Sequence, residues 1–436
     1  MARSHSVALP ICSAALIVAV LGACLGDWSF VTGCGRSTPT HRSVALHSVA
    51  NGVAPGGANL KKFFPVRFFG NMWATATAPV RLMKLGQITK DLVQEMRDRQ
   101  KAKSGGDGEE DDKSKQKAAA SSTLKAFLPS YIKSHVIART EPEAFRHFLN
   151  TTLNVIIDSI GAKEGYDFQP YHKAVRGPGV DFYAWGNDFF RSMVKFRQSK
   201  VEGVEHLATI QEALAAGDNV VFLANHQTEA DPQVLSLLLE AQGVEDLAEK
   251  TIFIAGHKVT TDRLAIPFSM GRNLLTIFSK KYLDTFSPEE KEVKQARNQK
   301  TVSEMQRLFQ EGGHVLWVAP SGGRDRRTGN GGTRFEPAKF DEQSVGLFCL
   351  LGQKAEKSSG KKTRFFPLAM WSHKLVPPPE GAQAAVGESR SATRAPIGLE
   401  FGPELVLEEV GGRKGMPQAA EAAVRRQYDH LDSLLR

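Results

Sequence analysis

This sequence predicts an α/β protein, a largely buried central sheet with helices around it, preceded by a small helical subdomain. Two observations carry that expectation. From about residue 200 onward, short apolar runs alternate with helix-length stretches. The runs are NVVFLA from Asn219, TIFIA from Thr251, NLLTIF from Asn273, HVLWVA from His314 and RFFPLAM from Arg364, and the stretches include PQVLSLLLEAQG and VKQARNQKTVSEMQRLFQEG. Continuous apolar runs of strand length belong to strands covered on both faces, and intervening helices supply the cover. Ahead of them, Phe145, Phe148, Leu149, Leu153, Ile156, Ile157 and Ile160 recur at three and four, which lays one apolar stripe along a helix. That stripe needs a partner surface, and LKAFLPSYIKSHV before it and DFFRSMVKF from Asp188 after it supply one. Thr140 with Glu143 is placed to form a capping box at its start, and Gly161 to end it.

The elements follow in order along the chain. Residues 1–27 read as a signal peptide-like segment: Arg3, an apolar core AALIVAVL from Ala14 to Leu21, then the small residues GAC. That core is too short to span a bilayer. Residues 28–100 read as a transit peptide-like segment, because no Asp or Glu occurs from Trp28 to Lys90 while Arg, Lys, Ser, Thr and Ala are frequent. The two in series predict a bipartite address, through the secretory route into the stroma of a plastid with extra membranes. Residues 101–122 read as a charged linker, since KAKSGGDGEEDDKSKQK can bury no face. Residues 123–198 then form the helical subdomain, and residues 199–436 the α/β domain.

This division changes the meaning of the net charge of +9. Residues 1–90 carry nine Lys and Arg against the single Asp27, a surplus of eight, so residues 91–436 are nearly neutral at +1. A nucleic-acid partner therefore loses its electrostatic support. Three of the four cysteines, Cys12, Cys24 and Cys34, lie in the leader, leaving Cys349 alone, with no internal disulfide or cysteine metal cage for the remainder.

Chemistry is expected beyond the carboxyl ends of the strands, where open α/β sheets gather their active groups. NHQTEADP, residues 225–232, stands there behind NVVFLA. Asp231 with Pro232 reads as an N-cap and first-turn pair for the next helix. From that position Asp231 can turn back to His226. A carboxylate on one imidazole nitrogen fixes the tautomer and leaves the other basic, as removing an alcohol proton requires. The spacing decides little alone, because HKVTTD repeats it with His257 and Asp262, also behind an apolar run. For either pair, a capping Asp beside a loop His explains the spacing as well as chemistry does.

Two basic loops tip the balance. PSGGRDRRTG follows HVLWVA, with Gly322 and Gly323 permitting close backbone approach and Arg324 and Arg326 offering planar forks for phosphate oxygens. SKKYL follows NLLTIF, with Lys280 and Lys281 as point charges. Each alone is equally a solvated basic loop; together, after apolar strands, they suggest one anion pocket facing His226. A base beside a phosphate site with no evident covalent nucleophile suggests direct attack by a phosphate-bearing alcohol.

NHQTEADP, then GRNLLTIFSKK, APSGGRDR and FPLAM with a nearby PPP closely resemble, in the right order, the soluble plastid-type glycerol-3-phosphate 1-O-acyltransferases. The resemblance begins near FQPYHKAVRGP and DFYAWGNDFFR and covers most of residues 160–380. It implies a central mixed sheet flanked by helices, and transfer of a fatty acyl group from acyl carrier protein, or from acyl-CoA, to the sn-1 hydroxyl of glycerol 3-phosphate. It further implies His226 as general base, Asp231 as its orienting carboxylate, and Arg324, Arg326 and Lys281 on the phosphate with Lys280 beside them, while Glu229, Ser321 and Gly322 line the pocket and Glu229 takes no catalytic step. Tyr282 stands where those relatives usually have His, so that contact is altered. The resemblance implies no cofactor and no metal, and release of a lipid product implies a peripheral membrane contact.

Three rival readings share features of this sequence. A membrane lysophosphatidate acyltransferase would carry the same His and Asp, but no uninterrupted apolar stretch of about 20 residues follows the leader. A metal-dependent hydrolase would use His226, Glu229 and Asp231 as ligands, though all three lie in one short loop. A non-catalytic lipid- or phosphate-binding protein would keep the basic pocket and tolerate loss of His226.

Overall fold

The computed structural model describes residues 78–103, 112–162, 165–278, 283–284, 286–327, 334–377 and 390–436. The signal peptide-like segment, most of the transit peptide-like segment, and Lys280, Lys281 and Tyr282 lie outside the described residues.

Three long helices open the described chain: α1 (Ala78–Lys103), α2 (Asp112–Ala138) and α3 (Pro142–Gly161). Leu85 and Leu92 of α1 bury themselves against Phe145, Leu149 and Leu153 of α3, with Leu128, Ile132 and Val136 of α2 closing the cluster. Each such fully buried side chain contributes about 1.5–3 kcal/mol. Helical structure thus starts earlier than composition suggests, since residues 78–100 of the leader-like segment and residues 112–122 of the linker-like segment are helical. Composition registers the scarcity of acids but not the spacing of Leu85, Ile88 and Leu92, which places one stripe on α1. The capping box at α3 does not form: Glu141 is the N-cap and its side chain makes no capping bond to the helix, while Thr140 Oγ1 pairs with His135 Nδ1 at 3.1 Å. With the N-cap at Glu141, Thr140 stands one residue outside the helix and Glu143 falls at its second position rather than the third that a box requires. The far side of α3, with Val155, Ile156 and Ile160, packs into the main core, where α4 (Phe182–Arg191) meets it through Trp185, Phe189 and Phe190.

The strands are β1 (Tyr171–His172), β2 (Lys200–Glu202), β3 (Asn219–Ala224), β4 (Ile252–Gly256), β5 (Asn273–Ile277), β6 (Val315–Val318), β7 (Arg326–Arg327), β8 (Phe335–Glu336), β9 (Thr363–Trp371) and β10 (Gly398–Phe401). Eight of them form one mixed sheet in the order β1-β5-β4-β6-β3-β9-β10-β2. From β5 to β9 the pairing is parallel, with β1 and β10 joining antiparallel and β2 pairing parallel to β10. All five long apolar runs of the sequence are therefore the parallel centre. The short strands β1, β2 and β10 carry too few residues to show a period.

The remaining helices are α5 (His206–Ala215), α6 (Asp231–Ala241), α7 (Glu245–Lys250), α8 (Lys258–Thr261), α9 (Ile266–Met270), α10 (Pro288–Glu311), α11 (Glu342–Ser359) and α12 (Gly412–Leu435). Alternation along β3 divides the core in two. Val220, Phe222 and Ala224 join the cluster holding α4, α5 and α6, while Val221 and Leu223 join that of α10, α11 and α12. Because β3, β4, β6 and β9 run the same way, their carboxyl ends lie along one edge, where the loops after them meet.

Candidate active site

The loop after β3 is fixed before it reaches its histidine. Asn225, fully buried, continues the sheet's hydrogen bonding with its side chain: Oδ1 accepts from Met370 N at 2.7 Å and Nδ2 donates to Met370 O at 3.0 Å. Gln227, also fully buried, accepts at Oε1 from Ser372 N at 2.8 Å and from His373 N at 3.2 Å, and donates to Tyr428 Oη at 3.0 Å. Between these anchors His226 is the side chain that reaches solvent, 26% exposed, against 0% for Asp231.

His226 Nδ1 lies 2.8 Å from Asp231 Oδ2. A carboxylate oxygen only accepts, so Nδ1 carries the hydrogen and Nε2 keeps its lone pair. Asp231 takes four further donors: Gln227 N at 2.7 Å and Thr228 N at 3.2 Å on Oδ2, and the hydroxyls of Thr228 and Ser372 on Oδ1. The expected helix cap is corrected here. Ala230 is the N-cap of α6, and Asp231, its first residue, points its carboxylate back into the loop. Those five donors compensate its burial in a way two free N–H groups of the helix end would not.

The loop after β6 is hydrogen-bonded to the same stretch. Asp325 N donates to His226 O at 2.6 Å, and the Asp325 carboxyl accepts from Asn225 Nδ2 at 2.7 Å and Ala338 N at 2.9 Å. Burial pushes that carboxyl up to about 7, against the lowering effect of Asn225, Ala338 and His226. In the turn before it, Gly322 adopts a φ of +66°, a conformation that favours glycine, and no protein atom comes within 4 Å of where a Cβ would stand. Its N–H donates to Ala319 O at 3.0 Å, and Ser321 Oγ donates to Gly323 O at 2.9 Å. Arg324, with a side chain 8% exposed, lies 3.8 Å from Glu229 of the His226 loop. Arg326 opens β7, paired across to Glu336, and is exposed. The structure thus brings Arg324 and Asp325 to the His226 loop, with Ser321 and Gly322 in the turn before them, while Lys280, Lys281 and Tyr282 fall outside the described residues.

Several partners escape a reading of the sequence: Asn225, Gln227, Asp325, Ser372, His373, Tyr428 and Arg390. Ser372 and His373 follow β9 directly, so the rule that sites gather beyond parallel strand ends points to them once β9 is known to be parallel to β3. Arg390 pairs with Glu229 and Asp262 at 2.7 Å each. Among the described residues no three His, Cys, Asp or Glu side chains converge as a metal site, and Glu229 turns to arginines while Asp231 turns to His226.

Residues 199–366 match the family described as Acyltransferase, a span that holds His226, Asp231, Arg324 and Arg326. Residues 199–366 thus form an acyltransferase domain. It is 35% identical over 285 residues to the glycerol-3-phosphate acyltransferase, chloroplastic, of Arabidopsis thaliana, covering 64% of this chain and 60% of that one. To the glycerol-3-phosphate acyltransferase ATS12, chloroplastic, of Cucurbita moschata it is 36% identical over 69% of this chain and 63% of the relative. The chain therefore spans under two thirds of the length of these relatives. Among solved structures, the 1-acyl-sn-glycerophosphate (LPA) acyltransferase PlsC of Thermotoga maritima aligns with 58% of this chain and 79% of that one at 15% identity and a TM-score of 0.36. Ser372, Arg390 and Tyr428 lie beyond the matched family segment, although each touches the His226 loop.

Proposed function

We propose that this acyltransferase moves a fatty acyl group from an acyl thioester, carried by acyl carrier protein or coenzyme A, to the sn-1 hydroxyl of glycerol 3-phosphate. One observation carries the reading: a quarter-exposed histidine held by a buried carboxylate, on a loop hydrogen-bonded through Asp325 to the loop that bears two arginines. A base and an anion-binding loop tied together are what an alcohol bearing phosphate requires.

His226 Nε2 takes the hydroxyl proton as the oxygen attacks the thioester carbonyl carbon. The resulting tetrahedral oxyanion collapses, the C–S bond breaks, and the imidazolium returns its proton to the leaving thiolate. Asp231 holds the ring and stabilises the imidazolium in between. Such assistance is worth about two to four orders of magnitude, with positioning by the phosphate clamp supplying much of the rest. Arg324, Arg326, Lys281 and Lys280 bind the phosphate, beside Tyr282, with Ser321 and Gly322 at the pocket wall. The oxyanion donor is a backbone N–H other than that of Gly322, which Ala319 already occupies. No cofactor or metal enters these steps.

The relatives named chloroplastic support a plastid as the working compartment, and we assign the reaction to its stroma. No described helix is long and apolar enough to cross a membrane, and we assign the lipid product a peripheral route of release.

The full chain is assayed with glycerol 3-phosphate or lysophosphatidic acid as acceptor and both donor types. Lysophosphatidic acid should form only with glycerol 3-phosphate present. Arg324→Ala or Arg326→Ala should raise KM for glycerol 3-phosphate by about tenfold or more, the loss of one charge-assisted contact. Absence of transfer to glycerol 3-phosphate, or unchanged KM in both variants, overturns the assignment.

A further inference from the structure

Arg390 joins the two loops that share the His-x-x-x-x-Asp spacing. Its Nε lies 2.7 Å from Glu229 Oε2 and its Nη2 lies 3.0 Å from Glu229 Oε1, a two-pronged contact. The same Nη2 donates to Asp262 Oδ2 at 2.7 Å. Its side chain is 12% exposed, and the segment after it is tied down three times. Ala392 N donates to Ser130 Oγ, Thr393 N to Leu375 O and Ala395 N to Met193 O, each at 2.9 Å. Asp262 is anchored too, accepting from Leu264 N at 2.9 Å. The fork is therefore held from both sides, and Glu229 is the member that meets the site. Its Oε1 stands 3.8 Å from Arg324 Nη1, over 1 Å farther than the Arg390 Nε contact. One carboxylate faces two guanidinium groups and is bound closely by one of them.

We propose that Arg390 is a positioning residue that holds Glu229 away from Arg324 and so keeps the Arg324 guanidinium in place for the substrate phosphate, with Asp262 of the second motif as its anchor. The inference rests on the phosphate role given to Arg324 above. The physical reason is competition. A carboxylate without its bidentate partner takes the nearest guanidinium, and a phosphate must then displace it at the cost of a charge-assisted contact.

Binding of inorganic phosphate and of glycerol 3-phosphate to the full chain is measured by calorimetry, beside KM and kcat. The proteins are wild type, Arg390→Ala, Arg390→Lys, and Arg390→Ala and Arg390→Lys each combined with Glu229→Gln. Arg390→Ala should weaken phosphate binding and raise KM by about tenfold, with kcat within about threefold. Adding Glu229→Gln removes the competitor and should bring binding back to within about threefold of wild type. Arg390→Lys should fall between, having charge without the fork. Should Arg390→Ala fail to fold, leaving Asp262 buried and unpaired, Arg390→Lys and its Glu229→Gln double carry the same comparison. Unchanged binding in both Arg390 variants, or weakening that Glu229→Gln does not reverse, overturns the inference. A wild type that binds phosphate without acyl transfer sinks the proposed reaction but leaves the clamp standing; a wild type that binds neither anion sinks the clamp.

Discussion

Two loops of this molecule carry a histidine and an aspartate at the same spacing after parallel strands, β3 and β4, that flank β6, and they are built for different ends. After β3, Asp231 is fully buried, turns back, and bonds His226 Nδ1 at 2.8 Å. After β4, Asp262 turns away from its histidine to Leu264 N and Arg390. His257 is the N-cap of the short α8, its ring stacked on Phe278 at a centroid distance of 5.4 Å. Burial, then the cations of Lys258 and Lys294, hold that imidazole below its ordinary range. The spacing is common to both, and the surroundings decide. Two hydroxyls and two N–H groups converge on Asp231 from its own loop and from Ser372 after β9. Asp262 has an arginine instead, so its charge is already matched.

The comparison is broken most forcefully by removing each ring. His226→Ala should lower acyl transfer by about two orders of magnitude or more in a protein that still folds, since its neighbours Asn225 and Gln227 carry the loop's anchors. His257→Ala should cost little turnover. Circular dichroism and turnover at saturating donor measure both. Near-normal activity in folded His226→Ala, or collapse only in His257→Ala, moves the chemistry to the other loop.

A smaller effect separates charge from geometry at Asp231. An asparagine can set its oxygen where Oδ2 now accepts from His226, Gln227 and Thr228, and its amide where Oδ1 now meets the hydroxyls of Thr228 and Ser372. Both hydroxyls can rotate to accept. Asp231→Asn should therefore stay folded and lose activity by about ten- to a hundredfold, through lost stabilisation of the imidazolium. A full collapse of the fold would show that the negative charge itself holds the loop.

The sheet centre was legible because its five strands are continuous apolar runs, and so was the meeting of the loop after β3 with the loop after β6 through Arg324 and Asp325, because both loops follow such runs. What stayed hidden depends on pairings no local pattern encodes. Gln227 meets Tyr428 across 201 positions, and Arg390 meets Glu229 across 161. The acid-free composition that runs to Lys90 masked the start of α1, since the absence of acids and the presence of a helical period are independent features of the same residues. Asp231 as a helix cap was the reasonable expectation from Asp-Pro. A histidine, two N–H groups and two hydroxyls outweighed it.

The most delicate test of the contrast lies beneath the first loop, where His373 sits with Nδ1 3.4 Å from Gln227 Oε1, stacked on Phe335 and edge-on to Trp371. Burial, helped by the nearby Lys374, lowers its imidazole to about 4. An unfolded chain takes up a proton there near 6.5, and the folded chain resists until about 4. Between those values the unfolded state binds more protons, so the stability from neutral His373 is full above 6.5 and is lost progressively as pH falls towards 4. Asp325, raised to about 7, works in the opposite sense, because the folded chain holds its proton where the unfolded chain has released it. His135, also lowered to about 4 by burial, adds to the His373 effect from the helical layer, and the lowered His257 and His172 add to it too, so the whole-protein profile mixes several groups. A variant isolates one of them. His373→Phe keeps an aromatic ring between Phe335 and Trp371 and should shrink the loss of urea stability between pH 8 and pH 5 by about 2 kcal/mol, leaving the shares of Asp325 and His135 in place. An unchanged pH dependence would mean that His373 takes up its proton in the folded protein as readily as in the unfolded one, and that the ground beneath the His226 loop is open to water rather than sealed.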